Sequence, residues 1–230
     1  MRLPRSIRSL GLCCLLLGAC ADVPAGATNR YIVLPQDTLY SIAWRHDLDF
    51  RDLARWNNIG PDFRISVGQV LVLGPGQNPA RLPSPPSPPR PPAPPLPPKP
   101  SRPGPAPVGK PLSWVWPTER LGAPHPVSGG GINLSGRLGQ DVRAASAGRV
   151  VYTGSGLRGY GNLIIIKHAD SWLSAYGHNR EILVHDGEDV ALGQVIAHMG
   201  EDAHQAAVLY FEIRQNGRPV DPLVYLSKIK

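Results

Sequence analysis

Cysteine is nearly absent from this sequence, and its positions leave little sulfur chemistry for the folded part of the chain. All three cysteines lie within the first 20 of 230 residues, so residues 21–230 can form no disulfide. The apolar segment near the start, Leu10 to Ala19, is too short to cross a bilayer core of about 30 Å as a helix. No motif for binding nucleic acid occurs, so we expect no nucleic-acid partner.

The first 20 residues have the pattern of a bacterial lipoprotein signal. Three arginines precede the apolar segment, and small residues lead to a cysteine in Leu17-Gly18-Ala19-Cys20, which resembles the lipobox. The resemblance implies a signal peptide over 1–19, a diacylglycerol on the Cys20 thiol that anchors the chain to a membrane, and a tether over 20–29. An ordinary signal peptide with a chance cysteine is the alternative.

The residue after the lipobox cysteine bears on location. Ala21 follows Cys20, whereas an aspartate at that position commonly retains Gram-negative lipoproteins in the inner membrane. The resemblance therefore implies the inner leaflet of the outer membrane, facing the periplasm. Without the three signal arginines, the formal net charge of +7 becomes about +4, which could suit an anionic cell wall or simply favour solubility.

Residues 30–74 show strand and helix patterns in the order βααβ. A β-rich run, Tyr31 to Leu34, is followed by Asp37 and Thr38, either of which can cap a helix by accepting a backbone N–H. Apolar residues then recur at helical spacing, and Asp49 precedes a second such pattern. The last run, Val67 to Leu73, predicts a closing strand.

These segments resemble the LysM family, whose members bind glycans that contain N-acetylglucosamine. The matching residues are Tyr31–Val33, Asp37–Ala43, Trp56-Asn57 and Val67–Gln69. The resemblance implies a peptidoglycan site between loops 36–39 and 57–63, and its candidate residues are Asp37, Thr38, Leu39, Asn57 and Ile59. Capping and turn formation alone would also explain Asp37, Thr38 and Asn57. Gln36 departs from the family's glycine, which costs free energy if the turn needs positive φ.

Proline is concentrated in one region. Of 27 prolines, 18 fall between Pro75 and Pro111, which predicts a disordered or polyproline II linker over 75–112. At about 3.1 Å per residue, such a segment could extend on the order of 100 Å between the two domains. Recognition of the proline runs by a partner protein is the alternative.

Residues 113–230 consist of short apolar runs separated by glycine-rich breaks, and no helical periodicity extends over ten residues. The runs are 149–152, 163–168, 172–176, 195–199 and 209–214. This pattern predicts a mainly β C-terminal domain of short antiparallel strands. A domain of this length can bury its own core.

The C-terminal segments resemble the LytM-type, lysostaphin-like zinc endopeptidases. The matching segments are 131–132, 142–151, 156–162, 175–179, 187–200 and 209–214. This resemblance implies their antiparallel β-sheet fold. Active members of the family take three zinc ligands from a His-x-x-x-Asp motif and from the last histidine of a His-x-His motif.

The positions of the zinc ligands are degenerate in this chain. Gly129 and Asn133 occupy the first motif, Val208 and Tyr210 occupy the second, and only His178 remains, which matches a histidine that is not a ligand. Four other histidines show no metal-like spacing, namely His168, His185, His198 and His204, while His125 lies just before the first motif. We therefore expect no metal, no cofactor and no peptidase activity.

The order of lipobox, LysM domain, proline-rich linker and degenerate LytM-type domain resembles the NlpD-like murein hydrolase activator lipoproteins. The resemblance implies a non-enzymatic protein that activates periplasmic N-acetylmuramyl-L-alanine amidases during cell separation. A groove that once held a peptide would then hold a partner segment, and its expected lining is Arg158, Tyr160, His178, Tyr210 and Arg214. For the two tyrosines, filling the vacated space is an equally good interpretation. A structural tether, or an endopeptidase with an atypical site, is the alternative function.

The lipobox prediction can be checked on the intact protein. Protein extracted from membranes should carry the mass of a diacylglycerol on Cys20, and the Cys20→Ser variant should lose both this mass and its membrane association. A free, unacylated Cys20 in the membrane fraction would contradict the prediction. Intact-mass spectrometry provides the measurement.

Overall fold

The computed structural model describes residues 29–75 and 112–226. The predicted signal peptide, the Cys20 lipidation site, and nearly all of the tether and the proline-rich linker lie outside this range, so they stay predictions. None of the helices within the described range has the length and hydropathy needed to cross a membrane.

Residues 29–75 form a two-stranded antiparallel sheet packed against two short helices. The elements are β1 (Arg30–Ile32), α1 (Leu39–Arg45), α2 (Phe50–Trp56) and β2 (Val70–Val72). Thr38 caps α1, because its hydroxyl accepts the Ser41 N–H at 3.1 Å, and Asp49 caps α2 by accepting the Arg51 N–H at 2.7 Å. The predicted βααβ order is therefore confirmed.

Residues 112–226 are built on a ten-stranded antiparallel sheet followed by a short helix. The elements are β3 (His125–Pro126), β4 (Ile132–Ser135), β5 (Asp141–Arg143), β6 (Gly148–Gly154), β7 (Asn162–Lys167), β8 (Trp172–Ile182), β9 (Asp189–Val190), β10 (Val195–Met199), β11 (Val208–Gln215), β12 (Arg218–Val220) and α3 (Pro222–Leu226). The main strand order is β3-β4-β11-β8-β7-β6-β9, with β5, β10 and β12 joined to it from the side. The prediction of a mainly β C-terminal domain is confirmed.

The large sheet is buried on both of its faces. Successive side chains of a strand point to opposite faces, and β7 carries four apolar residues in a row. Ile164 and Ile166 join the core of the C-terminal domain itself, whereas Leu163 and Ile165 join a second cluster. That second cluster also contains the core of residues 29–75, including Leu39 and other side chains of α1 and α2. The small domain therefore packs on one face of the large sheet.

The buried side chain of His168 stabilises the core of the C-terminal domain that contains Ile164 and Ile166. His168 is 3% exposed, its Nδ1 lies 2.8 Å from the Ala147 carbonyl oxygen, and its Nε2 lies 2.7 Å from the Ser174 hydroxyl. Its ring also packs edge-on against Trp114, at 5.0 Å between ring centres. Burial lowers the pKa of His168 from 6.5 to about 4, so the native protein keeps this ring neutral.

The free energy of unfolding should therefore fall as the pH drops from about 6.5 towards about 4. In that window the unfolded chain protonates His168 and the native chain does not, which corresponds to roughly 3 kcal/mol over the full interval. Urea unfolding at several pH values measures the slope. His168→Gln should flatten it, while His185→Gln, at a 91% exposed side chain, should not. A slope unchanged in His168→Gln would contradict this assignment.

Candidate functional site

The positions that the LytM-type resemblance assigns to the zinc and catalytic motifs lie at the junction of β4 and β11. These two strands pair so that Asn133 lies opposite Tyr210. Gly129 lies in the loop before β4, is exposed, and has a φ of +99°. Val208, at the start of β11, is 5% exposed and apolar. Three of these four positions thus lie on two paired strands, and none of the four carries a histidine or a carboxylate.

Tyr210 fills the space at the centre of this site. Its ring packs edge-on against Tyr160 at 5.1 Å and against His178 at 6.3 Å between ring centres. The other side of the ring is pressed against Gly131, where an added Cβ would lie 2.6 Å from the Tyr210 oxygen. Gly131 is therefore required for Tyr210 to occupy this position. Tyr210 itself is 8% exposed.

A buried polar row extends from Tyr210 along the same face of β11. The Tyr210 hydroxyl donates to the Glu212 carboxylate, and Arg214 Nε donates to the other Glu212 oxygen at 2.6 Å. Burial raises the pKa of Glu212 above its ordinary value. Burial and the neighbouring Glu212 charge raise the pKa of Tyr210, which therefore stays protonated and acts as a donor.

Glu212 is a further residue of the site that the motifs do not single out. Its signal lies in the alternation of β11, where Tyr210, Glu212 and Arg214 share one face and three apolar residues share the other. Polar residues at every second position of a strand indicate one polar face. Tyr210 and Arg214 are both predicted groove residues, and Glu212 lies between them and bonds to each.

His178 stands at the edge of the site in an uncommon backbone conformation. Its φ is +59°, which is rare for a residue other than glycine and costs free energy unless the surroundings impose it. The constraint comes from its own backbone, because its N–H donates to the Tyr160 carbonyl at 2.7 Å and its carbonyl accepts from the Gly200 N–H at 2.8 Å. Burial lowers the pKa of the His178 ring, which favours the neutral form.

The residues at this site do not fit zinc. A catalytic zinc needs three protein ligands and one open position for water. Gly129 offers no donor, Asn133 offers only a neutral amide, and the Tyr210 hydroxyl is engaged by Glu212. Across residues 29–75 and 112–226, no three His, Cys, Asp or Glu side chains converge in a way that could hold a metal ion.

The predicted groove residues lie in two places, at or beside a cavity between the domains and buried beneath α1. Arg158 and Tyr160 line a cavity of about 460 Å³ that is also lined by Leu34, Trp44, Arg45 and Asp47 of the small domain. Tyr160 then leads to Tyr210 and His178 through the ring contacts given above. Arg214, by contrast, is 3% exposed and lies under α1. The structure thus brings four of the predicted lining residues together and places the fifth beneath the small domain.

The predicted glycan residues hold the loops of the small domain in place. Asp37 accepts from the Tyr31 hydroxyl at 2.7 Å and from the Leu34 N–H at 2.9 Å, and Thr38 is the α1 cap. Leu39 is fully buried, so its side chain belongs to the core. Ile59 is half-buried and packs against the same cluster. These roles are structural, and glycan contact by the loops stays a prediction.

Asn57 and Gln36 show how the two loops are fixed. The Asn57 amide donates to the Leu53 carbonyl at 2.8 Å and to the Val72 carbonyl at 2.9 Å, and its oxygen accepts the Val72 N–H at 2.7 Å. This single side chain therefore joins the end of α2 to β2. Gln36 has a φ of +70°, so the turn keeps the conformation that a glycine would adopt more easily.

Comparison with known proteins assigns both domains. Residues 31–74 match the LysM domain family, and residues 128–222 match Peptidase family M23. A Pseudomonas aeruginosa protein described as a lipoprotein NlpD/LppB homolog is 43% identical, over 94% of this chain and 89% of that protein. The murein hydrolase activator NlpD of Escherichia coli is 36% identical, over 90% of this chain and 70% of that protein.

The chain belongs to the NlpD lipoprotein family. The outer membrane antigenic lipoprotein B of Haemophilus influenzae is also similar, with 35% identity over 87% of this chain and 64% of that protein. The NlpD-type combination of a LysM domain and an M23 domain, expected from the motifs, is thereby confirmed. In this member of the NlpD family, the M23 domain carries the tyrosine-filled site described above.

Asn57→Ala should destabilise the small domain, because it removes three hydrogen bonds and leaves buried backbone groups at β2 unpaired. The expected loss is about 1–3 kcal/mol in the free energy of unfolding. Arg64→Ala, at an 88% exposed side chain, provides the control and should change little. Chemical unfolding of the full chain gives the measurement, and equal stability of both variants would contradict the role of Asn57. Sacculus pull-down below the unfolding transition then tests for a separate glycan contact.

Proposed function

We propose that this chain is a non-catalytic activator of periplasmic N-acetylmuramyl-L-alanine amidases, directed to peptidoglycan by its LysM domain. The observation that carries the proposal is the packed and hydrogen-bonded site around Tyr210, at positions that the LytM-type resemblance assigns to the metal motifs. Water cannot be activated by a Lewis acid where no ligand set exists to hold one. The site retains a shape and a set of anchors, which serve binding.

The side chains around the site have the chemistry of a protein-binding groove. Tyr160, Tyr210 and Arg158 are of the residue types that contribute most to binding at protein interfaces. An amidase held closed by its own segment opens only if a ligand binds the open state better than the closed one. A groove that recognises such a segment meets this requirement without any chemistry of its own. The name of the Escherichia coli relative, murein hydrolase activator, supports this assignment.

The proposed location rests on the sequence and on the relatives. The lipobox ends at Cys20, and Ala21 lacks the charge that retains lipoproteins in the inner membrane. Relatives are described as lipoproteins, and one of them as an outer membrane lipoprotein. We therefore propose that the chain is held by lipid on Cys20 in the inner leaflet of the outer membrane. The LysM domain, which matches residues 31–74, would bind glycan strands from there.

Release of labelled peptidoglycan distinguishes this function from its alternatives. The full chain should release no label alone and should increase release when a periplasmic amidase is present. Release by the chain alone would indicate an endopeptidase with an atypical site. No increase with amidase, together with retained sacculus binding, would indicate a structural tether.

Combined replacement of two groove residues should abolish activation. Tyr210→Ala with Arg214→Ala removes the central ring and the buried guanidinium, so amidase stimulation should fall to the level of amidase alone. Sacculus binding should persist, because the predicted glycan loops lie elsewhere. Arg143→Ala is the matched control, since it removes an arginine whose partner is the exposed Asp141. Unchanged stimulation by the double variant would refute the groove assignment.

A further inference from the structure

The small domain covers the same sheet face that carries the proposed groove. Arg214 Nη1 donates to the Trp44 carbonyl at 2.9 Å, and its guanidinium lies 3.8 Å from the centre of the Trp44 ring. Arg214 Nη2 also forms an ion pair with Asp47 at 3.1 Å. The last turn of α1 therefore supplies a carbonyl and an aromatic face to one groove residue, and the turn after α1 supplies a carboxylate. These are three of the interactions that a guanidinium forms best.

Apolar contacts between the small domain and the large sheet extend beyond Arg214. The sheet contributes Tyr152, Leu163, Ile165, Leu173 and Ala175 to the cluster shared with α1 and α2, and the loop after β6 contributes Leu157; each of these is at most 3% exposed. Without the small domain, this face would present a contiguous apolar surface to water. Such surfaces mark sites that bind another protein. The face is thus an interaction surface, and its occupant in this structure is the chain's own LysM domain.

Two features weaken the contact between the small domain and the sheet. The Trp44 indole N–H is buried without a hydrogen-bond partner in the described residues, which offsets part of the apolar gain. The cavity lined by Leu34 and Tyr160 lies at the boundary of the two domains, so the contact is not closely packed throughout. The loop residues Gln36, Gly60 and Pro61 stay exposed, which leaves the predicted glycan loops accessible in the docked form.

We propose that the LysM domain is a reversible intramolecular occupant of the groove face, and that its docking excludes the amidase segment. The exclusion part rests on the proposed function, because it takes the amidase as the competing ligand. Arg214 cannot serve both occupants, since its donors are used by Glu212, Trp44 and Asp47 in the docked form. A partner then binds only the fraction of chains in which the LysM domain has moved away, and its apparent affinity falls by that fraction.

Gly217 offers a way to open the contact without touching the groove. It lies in the turn between β11 and β12 with a φ of +73°, and the atoms nearest to an added Cβ all belong to the backbone of Leu48 and Asp49, with the Leu48 carbonyl carbon at 2.5 Å. Asparagine tolerates this φ, so Gly217→Asn should collide with the docked LysM domain and leave the turn intact. Gly193→Asn is the matched control, with a φ of +79° and nothing within 4 Å of an added Cβ.

Two measurements on the full chain without its signal peptide test the proposal. Small-angle X-ray scattering should give equal, compact dimensions for the wild type and Gly193→Asn, and larger dimensions for Gly217→Asn. In the amidase assay, Gly217→Asn should reach half-maximal stimulation at a concentration on the order of tenfold lower than the other two.

The outcomes separate the two parts of the proposal. Equal scattering from all three chains, whether compact or extended, would overturn LysM docking. Expansion of Gly217→Asn with unchanged half-maximal stimulation would overturn the exclusion. If Gly217→Asn expands and no chain stimulates an amidase, the proposed function fails while LysM occupancy of the groove face stands.

Discussion

The guanidinium of Arg214 links the site around Tyr210 to the LysM domain. A buried charge is costly unless its donors are satisfied, and here Glu212 on the same strand balances it from within the sheet. The remaining donors point to the carbonyl of Trp44 and the carboxylate of Asp47, both in the small domain. The arrangement of the two domains in this structure therefore depends on the same side chain that anchors the proposed groove.

The side chains at and around the predicted ligand positions depend on one another. A zinc ion would be held by charged or imidazole ligands around an open position, whereas Tyr210 closes that position with a ring and a hydroxyl. The ring needs Gly131 beside it, and the hydroxyl needs Glu212 as its acceptor. Packing and a hydrogen bond thus hold Tyr210 in place at this site. The strands around Tyr210 are paired and complete, so the site has a defined shape in which the proposed partner segment could bind.

The LysM domain and the proposed groove lie in one chain, which gives a physical means of controlling the proposed activation. The LysM domain belongs to the wall-binding part of the NlpD family architecture, and in this structure its helices bury the apolar face of the M23 sheet. An occupant held in the same chain acts at high effective concentration, so a modest contact suffices to compete with a separate partner. Under the proposed function, the strength of that contact would set how much amidase the chain engages.

The sequence alone determined the βααβ order of the small domain and five of the strands of the C-terminal domain. Local signals sufficed for the two helices, because Thr38 and Asp49 cap them through neighbouring backbone groups. The spacing of the motifs predicts that Gly129, Asn133 and Tyr210 stand at ligand positions. Only the tertiary structure decided that Leu163 and Ile165 face the LysM domain and that Arg214 lies beneath Trp44. The run of apolar residues in β7 indicates that both faces of the strand are buried. No local pattern shows which part of the chain packs against the second face. That choice depends on contacts between residues more than 100 positions apart in the chain, such as Arg45 with Gly156, which periodicity and capping cannot encode.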